Sequence, residues 1–550
     1  MIVPKFENTI SKDCSPKTLT YFFANFTQLS ATIAADSKRS EKPSSFMYGR
    51  PPTEEDYFHD RDILRKSTTN IVTHAKNMLR NLGSTSPRLL LILGDAGSGK
   101  TTTLGRIAHD LVLTGHSVFH HNDHSPLDGR AVSELLEHVL RPVVLVVDGL
   151  AANGDVVANL LAQPSIFSKF IVLGAERSYR LAHLDRVLDG TKRIEHSLEL
   201  PTFEEFVQLI ERYRLAGLTG MKEANLDPNS FAKKLDNDPF AVAVCRIMND
   251  FRPLQAILES LWNDTKSEHR YPLLCVALAS YCSSNGIRYS LLQASGTGIS
   301  SLGLLLGNTA PLGISISNED SDFVVPTNAT LLERCLFRAR DKGDKLLYSV
   351  FVGLAQSLAP YVNRNAIKQR TAEARLAGRL FDADTVVLPL LDLEAERFYE
   401  DCHESWQWNS RYWEQRALLA AVRDDIDLAV RYARHAVSIE QHPFPFTTLG
   451  KLLMRSANEH SGPEARQRFN EAFSYLVKAI EFENHTFRSN PHSYSVLISG
   501  AATYLERGEK ISGTQRRSIE KYCREVFQMS SANQALFSNA ESLIEKLRVK

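Results

Sequence analysis

The stretch Gly94-Asp95-Ala96-Gly97-Ser98-Gly99-Lys100-Thr101 limits what this chain can fold into more than any other. It has the pattern G-x-x-x-x-G-K-[ST], and its glycines let consecutive backbone N–H groups turn inward around an anion. Such a loop needs a buried strand before it and a helix after it. Both are legible here, as the apolar run Arg88–Leu93 and the helical pattern Lys100–Leu113. The expected outcome is a cradle for the phosphates of ATP or ADP, formed by residues Gly94 to Thr102. The helix N-terminus adds a partial positive charge. Lys100 is expected to reach the β- and γ-phosphates, and the Thr101 hydroxyl to ligate Mg²⁺.

Around this loop the chain alternates short apolar runs with helical patterns. The runs are Arg88–Leu93, Ser117–His120, Pro142–Val147, Lys169–Ala175 and Arg193–Leu200. Several are nearly continuous Val, Leu and Ile, as parallel strands covered on both faces require. The alternation predicts a doubly wound parallel α/β sheet, the P-loop NTPase arrangement, over residues 46–200. Before it, residues 18–35 read as one amphipathic helix followed by a polar linker, Ser37 to Ser45, together making an N-terminal segment 1–45. Residues 60–82 read as a second helix. After Pro201 the strands mostly stop. Residues 201–270 read as a helical domain, and 271–340 as helices followed by a two-stranded ribbon, Gly313–Ser317 and Asp322–Pro326, in a winged-helix pattern. Residues 341–550 read as helix and loop throughout.

A second motif fits the first. Val143-Val144-Leu145-Val146-Val147-Asp148 is an apolar strand ending in an acid, the place where P-loop proteins put the Asp that holds Mg²⁺. The next residue is Gly149, where fast ATPases of the AAA+ class carry a glutamate that orients water. Slow hydrolysis is the expected consequence, unless another base serves, and Glu176 is the candidate. Phe170-Ile171-Val172-Leu173-Gly174-Ala175-Glu176-Arg177 is another buried strand ending in charge. Arg177 is the candidate γ-phosphate sensor, with Arg180 second, and a surface salt bridge is the competing reading. His120-His121-Asn122-Asp123-His124 reads as a polar loop, because consecutive residues in an extended loop cannot all face one ion.

In the C-terminal region, Trp413, Ala417, Ala429 and Ala436 put a large residue and then small ones where a tetratricopeptide (TPR) hairpin needs them. Phe446, Leu449-Gly450, Ala472 and Ala479 repeat the pattern, with about ten extra residues assigned to the middle loop. A generic helical bundle is the alternative. Trp406, Trp408, Tyr412 and Trp413 crowd one stretch. Their spacing assigns Trp413 and Trp406 to the core, provided that the helix runs through Asn409-Ser410. Trp408 and Tyr412 are then either binding anchors or further core.

Composition excludes several classes. The chain of 550 residues carries 64 basic and 64 acidic side chains, without the basic excess of a dedicated nucleic-acid binder. Its seven cysteines are scattered without a CxxC, which argues against a disulfide framework or zinc site and for a reducing, cytoplasmic setting. The N-terminus has no signal-peptide core, and no apolar stretch is long enough to span a bilayer.

The order of parts resembles a known class. Tyr48-Gly49-Arg50-Pro51-Pro52-Thr53 precedes a helix, and the P-loop, Val147-Asp148-Gly149 and Gly174-Ala175-Glu176-Arg177 follow. A helical region, a winged-helix-like module and TPR-like repeats complete the order. It looks like the signal-transduction NTPases with numerous domains, the STAND class, particularly bacterial forms similar to NLR immune receptors. The resemblance spans roughly residues 46–500. It implies a switch that clamps nucleotide between modules, meets a protein trigger (a phage protein, for an antiviral role) on its repeats, then exchanges nucleotide and forms a homo-oligomer. It also implies that a proline after the sensor region contacts the adenine, and Pro239 in Asn237-Asp238-Pro239-Phe240 stands there without the usual glycine. The N-terminal segment is too short for an effector, so a separate effector protein, or a shortened form of the chain, is implied. Two other functions stay open: a transcription regulator binding DNA through the winged helix, and a TPR scaffold stabilised by nucleotide.

Overall fold

The computed structural model describes residues 9–11, 13–29, 43–83, 86–122, 124–125, 127–188, 191–220, 227–283, 285–296, 303, 306, 312–317, 320–485, 491–528 and 534–549. Most of the expected linker Ser37 to Ser45 lies outside them. The chain divides into two compact units, Met1–Leu184 with Thr191–Leu376, and Asp185–Gly190 with Ala377–Lys550.

The first unit is built on a six-stranded sheet in the order β1-β3-β4-β5-β2-β6. The strands are β1 (Phe26–Gln28), β2 (Leu89–Gly94), β3 (Ser117–His121), β4 (Val143–Val147), β5 (Phe170–Arg177) and β6 (Arg193–Ser197). β2 to β6 run parallel, and β1 pairs antiparallel along β3. Every residue of β2 and β4 is buried, which is why these strands read as unbroken apolar runs. β5 lies between β2 and β4, so the ends of the P-loop strand and of the Asp148 strand flank Glu176 and Arg177. Ligands of parallel α/β sheets bind at these carboxyl ends.

The first helix is shorter than the sequence suggests. It spans Pro16–Asn25, capped by Ser15, and Phe26 then leaves it to start the edge strand. Phe26 serves either pattern, and stacking on Phe22 (4.6 Å) together with pairing to His121 settles it as strand. The helix read over 60–82 begins only at Lys66 and runs to Arg80, because Arg65 is held extended. Four helices, Phe203–Leu215, Pro228–Ala232, Phe240–Met248 and Leu254–Asp264, fill the region after the sheet. They are followed by the helix Ser267–Cys282, β7 (Ile287–Arg288), the helix Tyr289–Ala294, β8 (Ile314–Ile316), β9 (Phe323–Pro326) and the helix Ala329–Asp341. β8 and β9 pair as the expected ribbon, and β7 adds a third strand on β9. The turn Asn318-Glu319 and most of 297–311 lie outside the described residues.

The second unit contains helical hairpins. Ser410–Val422 packs on Ile426–Ile439, and Pro443–Glu459 on Gly462–His485. Ala417, Ala429, Ala472 and Ala479 are fully buried where the helices cross. Gly450 permits the closest approach, since a Cβ there would lie 2.5 Å from Leu476 Cγ. The extra residues of the second hairpin lengthen its helices and not a loop, for only His460 and Ser461 join them. In the aromatic cluster Trp406 and Trp413 are core as expected, but the helix is not continuous. Asn409 caps a new helix through its side chain, so the helix does not run on from Trp406. Tyr412 is core, 1% exposed, and its hydroxyl donates to the Tyr399 carbonyl at 2.6 Å. Trp406 is equally buried, against Phe381, while the half-buried Trp408 stacks on Trp406 at 6.5 Å. Truncating Trp406 to Ala is therefore expected to destabilise the second unit by about 3–5 kcal/mol. Trp408→Ala is expected to cost less than about 1.5 kcal/mol, both measured by denaturant unfolding.

Candidate functional site

The loop Gly94–Thr101 has the shape that its sequence demands. Gly97 and Gly99 sit at φ +76° and +89°, a region that side-chain-bearing residues rarely adopt, and the helix Lys100–Leu113 starts directly after them. Lys100 Nζ donates to the Asp95 carbonyl at 2.7 Å, folding back over its own loop. Burial, and then the charge of Arg177, push the Lys100 ammonium below the usual lysine range. A negative charge in the loop would favour the ammonium and counter the shift.

Thr101 Oγ1 donates to Asp148 Oδ2 at 2.6 Å, so the ends of the P-loop and of β4 meet. A hydroxyl and a carboxylate side by side suit Mg²⁺, which takes few protein oxygens and keeps waters and phosphate oxygens for the rest. Gly149 follows at φ +58°, and its N–H donates to Asp148 Oδ1 at 2.9 Å, fixing the carboxylate.

Glu176 is placed differently from a water-orienting base. It is 2% exposed, and both of its oxygens are taken. Oε2 accepts from the Ala151 N–H at 2.7 Å and Oε1 from the Arg177 N–H at 2.8 Å. Arg180 adds an ion pair at 3.5 Å. Glu176 thus ties the loop after Asp148 to β5. Arg177 lies in the cleft beside the P-loop and pairs with Glu333 of the helix Ala329–Asp341 at 3.2 Å.

A cleft of about 610 Å³ opens over the P-loop, within the range of small-ligand sites. One end holds Lys100, Thr101, Asp148 and Arg177. The other is apolar, with Ile63, Leu209, Tyr213, Phe240 and Val244. Arg50 to Thr53 line it too, which fits the stretch that the sequence singled out before the P-loop. Pro239 does not line it. It caps the helix Phe240–Met248, and the next residues do the work: Phe240 faces the cleft and the Ala241 N–H donates to the Gly97 carbonyl at 3.1 Å. Thr330 closes in at the same point, for a Cβ on Gly97 would lie 3.0 Å from its Oγ1 and 3.1 Å from Ala241 Cβ. Gly49 meets Asn328, the cap of the helix Ala329–Asp341, in the same close way.

Sequence reading missed Arg65. Its guanidinium is buried, donating to the Ser98 carbonyl at 3.0 Å and to the Glu199 carbonyl, and it lies 5.2 Å over the Phe240 ring. It joins the P-loop to the segment after β6 and to the helical region. Arg106 was missed as well. It forms a buried pair with Asp62 and so fixes the segment before the P-loop to the helix after it. Neither stands out in a sequence, because an arginine inside a helical pattern looks solvated.

Residues 44–188 match the family described as Novel STAND NTPase 5. This segment is a STAND-type P-loop NTPase domain. A domain of this type binds nucleotide, and the cleft offers the STAND domain both a phosphate end and an apolar end. A search of curated proteins returned no match. Among solved structures, one on katanin self-assembly is similar at TM-score 0.28 and 14% identity, covering 46% of this chain and 81% of that one. PCH-2 of C. elegans is similar at 0.26 and 12%, covering 36% and 69%, and a DNA replication initiation factor at 0.24 and 15%, covering 54% and 96%. Likeness this slight carries no argument about function or assembly. Among the described residues, no helix is long and apolar enough to cross a membrane.

Replacing Arg65 by Met keeps the apolar stem but leaves two carbonyls without their charged donor. The expected loss of stability in the first unit is about 2–3 kcal/mol, read by denaturant unfolding. Nucleotide affinity is expected to fall with it, because Ser98 belongs to the P-loop.

Proposed function

We propose that this chain is a STAND-type switch that holds ATP or ADP with Mg²⁺ in the cleft over Gly94–Thr102. The observation that carries the reading is the convergence at Gly97, where the helices Phe240–Met248 and Ala329–Asp341 both close on the P-loop. A nucleotide held there touches the NTPase core and two flanking modules at once, so its phosphates can bias how those modules sit.

In this reading Lys100 and the loop N–H groups bind the phosphates. Thr101 and Asp148 hold Mg²⁺, which would draw charge from the phosphate oxygens. The base lies at the apolar end against Phe240, the role first assigned to Pro239. Arg177 senses the γ-phosphate. Glu176 holds the loop after Asp148 and takes part in hydrolysis only if its two N–H partners let go. With Gly149 in place of a water-orienting glutamate, turnover is slow.

The helical hairpins of the second unit, TPR-like in their small buried residues, supply the surface for a protein trigger. Triggered chains then oligomerise in the cytoplasm, and a separate effector protein acts, in a bacterial defence against phage. These last steps rest on the resemblance to STAND proteins of that architecture.

The test of the site is Lys100→Ala. The fold is expected to survive, and ATP and ADP affinity by calorimetry to drop at least tenfold, as expected for a charge-assisted phosphate contact worth about 2–3 kcal/mol. Unchanged affinity would remove the nucleotide reading.

A further inference from the structure

The turn after Asp148 is too short to hold itself in place. Leu150–Ala152 is a single 3₁₀ turn. It is closed by the Ala152 N–H on the Gly149 carbonyl at 3.1 Å and the Asn153 N–H on the Leu150 carbonyl at 3.0 Å. The first N–H groups of such a turn have no partner within it. The one at Ala151 is met from outside, by Glu176 Oε2 of β5 at 2.7 Å, a charge-assisted bond. The other oxygen accepts from the Arg177 N–H at 2.8 Å, so the carboxylate cannot turn away without breaking a second bond. Arg180, 3.5 Å off, offsets its buried charge and itself donates to the Cys282 carbonyl at 3.2 Å. Leu150 anchors the turn on its apolar side. It is fully buried, and a Cβ on Gly174 would lie 2.9 Å from its Cδ2.

Gly149 joins this turn to Asp148. Its N–H donates to Asp148 Oδ1 at 2.9 Å, while Oδ2 accepts the Thr101 hydroxyl at 2.6 Å. The direction of the Asp148 carboxylate is therefore set by a chain of contacts that ends on Glu176. We propose that Glu176 is a positioning residue for Mg²⁺, which holds Asp148 in place by capping the Ala151 N–H and so sets how tightly the nucleotide-bound protein takes up the ion. The inference rests on the cleft being a nucleotide site. Mg²⁺ demands near-ideal octahedral geometry, so it tolerates little displacement of an oxygen near it. The phosphates depend less on this turn, because Lys100 and the loop N–H groups hold them. Glutamine has one acceptor oxygen for the two N–H donors and turns its NH₂ toward the other. Aspartate keeps the charge but withdraws it by one methylene. Each uncaps the turn, one by chemistry and one by reach.

The experiment titrates Mg²⁺ into the full chain saturated with the β,γ-imido analogue of ATP and follows uptake of the ion by calorimetry. The analogue's affinity in EDTA and the melting temperature are measured beside it. Wild type, Glu176→Gln, Glu176→Asp and Leu150→Ala are compared. Both Glu176 variants are expected to raise the half-saturating Mg²⁺ concentration about tenfold, the low end of what losing an outer-shell partner does to metal affinity. The affinity in EDTA is expected to stay within about twofold, since the charge-assisted phosphate contacts are untouched. A merely structural carboxylate would lower the melting temperature and leave the Mg²⁺ midpoint alone, which overturns the proposal. A normal midpoint in Glu176→Asp beside a raised one in Glu176→Gln overturns it too, for then the charge acts and not its place on the turn. Leu150→Ala loosens the same turn while keeping every polar group, and is expected to raise the midpoint as well. An unchanged midpoint there overturns the proposal even if neither Glu176 variant folds. Wild type that binds the analogue but takes up no Mg²⁺ overturns this inference and leaves the nucleotide reading standing. Failure to bind the analogue at all, in Mg²⁺ and in EDTA, would overturn both.

Discussion

The backbone at Gly97 leaves little room for a side chain, and two helices of the first unit close on it. Its φ of +76° turns the P-loop inward, and its open face is filled from two sides by Ala241 and Thr330. The Gly97 carbonyl accepts from Ala241, and the neighbouring Ser98 carbonyl accepts from Arg65. The loop expected to bind phosphates is therefore also the floor on which the helical region and the β7–β9 region rest. Any ligand that reshapes this loop changes the footing of both.

The acidic residues near the loop divide the remaining work. Asp148 is fixed by Thr101 and Gly149 where a metal ion would need it. Glu176 is spent on two backbone N–H groups and on Arg180. Glu333 comes from a distant helix and holds Arg177. All three line the cleft, and each is already engaged by a group of the protein.

The strands and the P-loop were legible in the sequence because their causes are local. A strand buried on both faces must be apolar throughout, and a loop that turns its N–H groups inward must have glycines at fixed places. The apolar end of the cleft was not legible, for it joins Ile63, Leu209 and Phe240 from three separate stretches. Pro239 was one residue away from the side chain that lines the cleft: it occupies the position before the helix Phe240–Met248, and Phe240 is the residue in the cleft. In the tryptophan cluster the core places of Trp406 and Trp413 were legible, and the side-chain cap at Asn409, which breaks the helix, was not; of the two readings left open for Tyr412, the core one holds. The ten residues assigned to a loop extend two helices instead. Spacing alone cannot tell a longer hairpin from a longer connection.

The central claim is that one nucleotide is gripped by three parts of the chain that are far apart in sequence. Hydrogen–deuterium exchange on the intact protein, with and without Mg·ADP, tests it directly. The account expects protection to rise together in the P-loop 94–102, in residues 240–248 and around 328–333. Protection confined to the P-loop, with the other two segments exchanging as before, would contradict it.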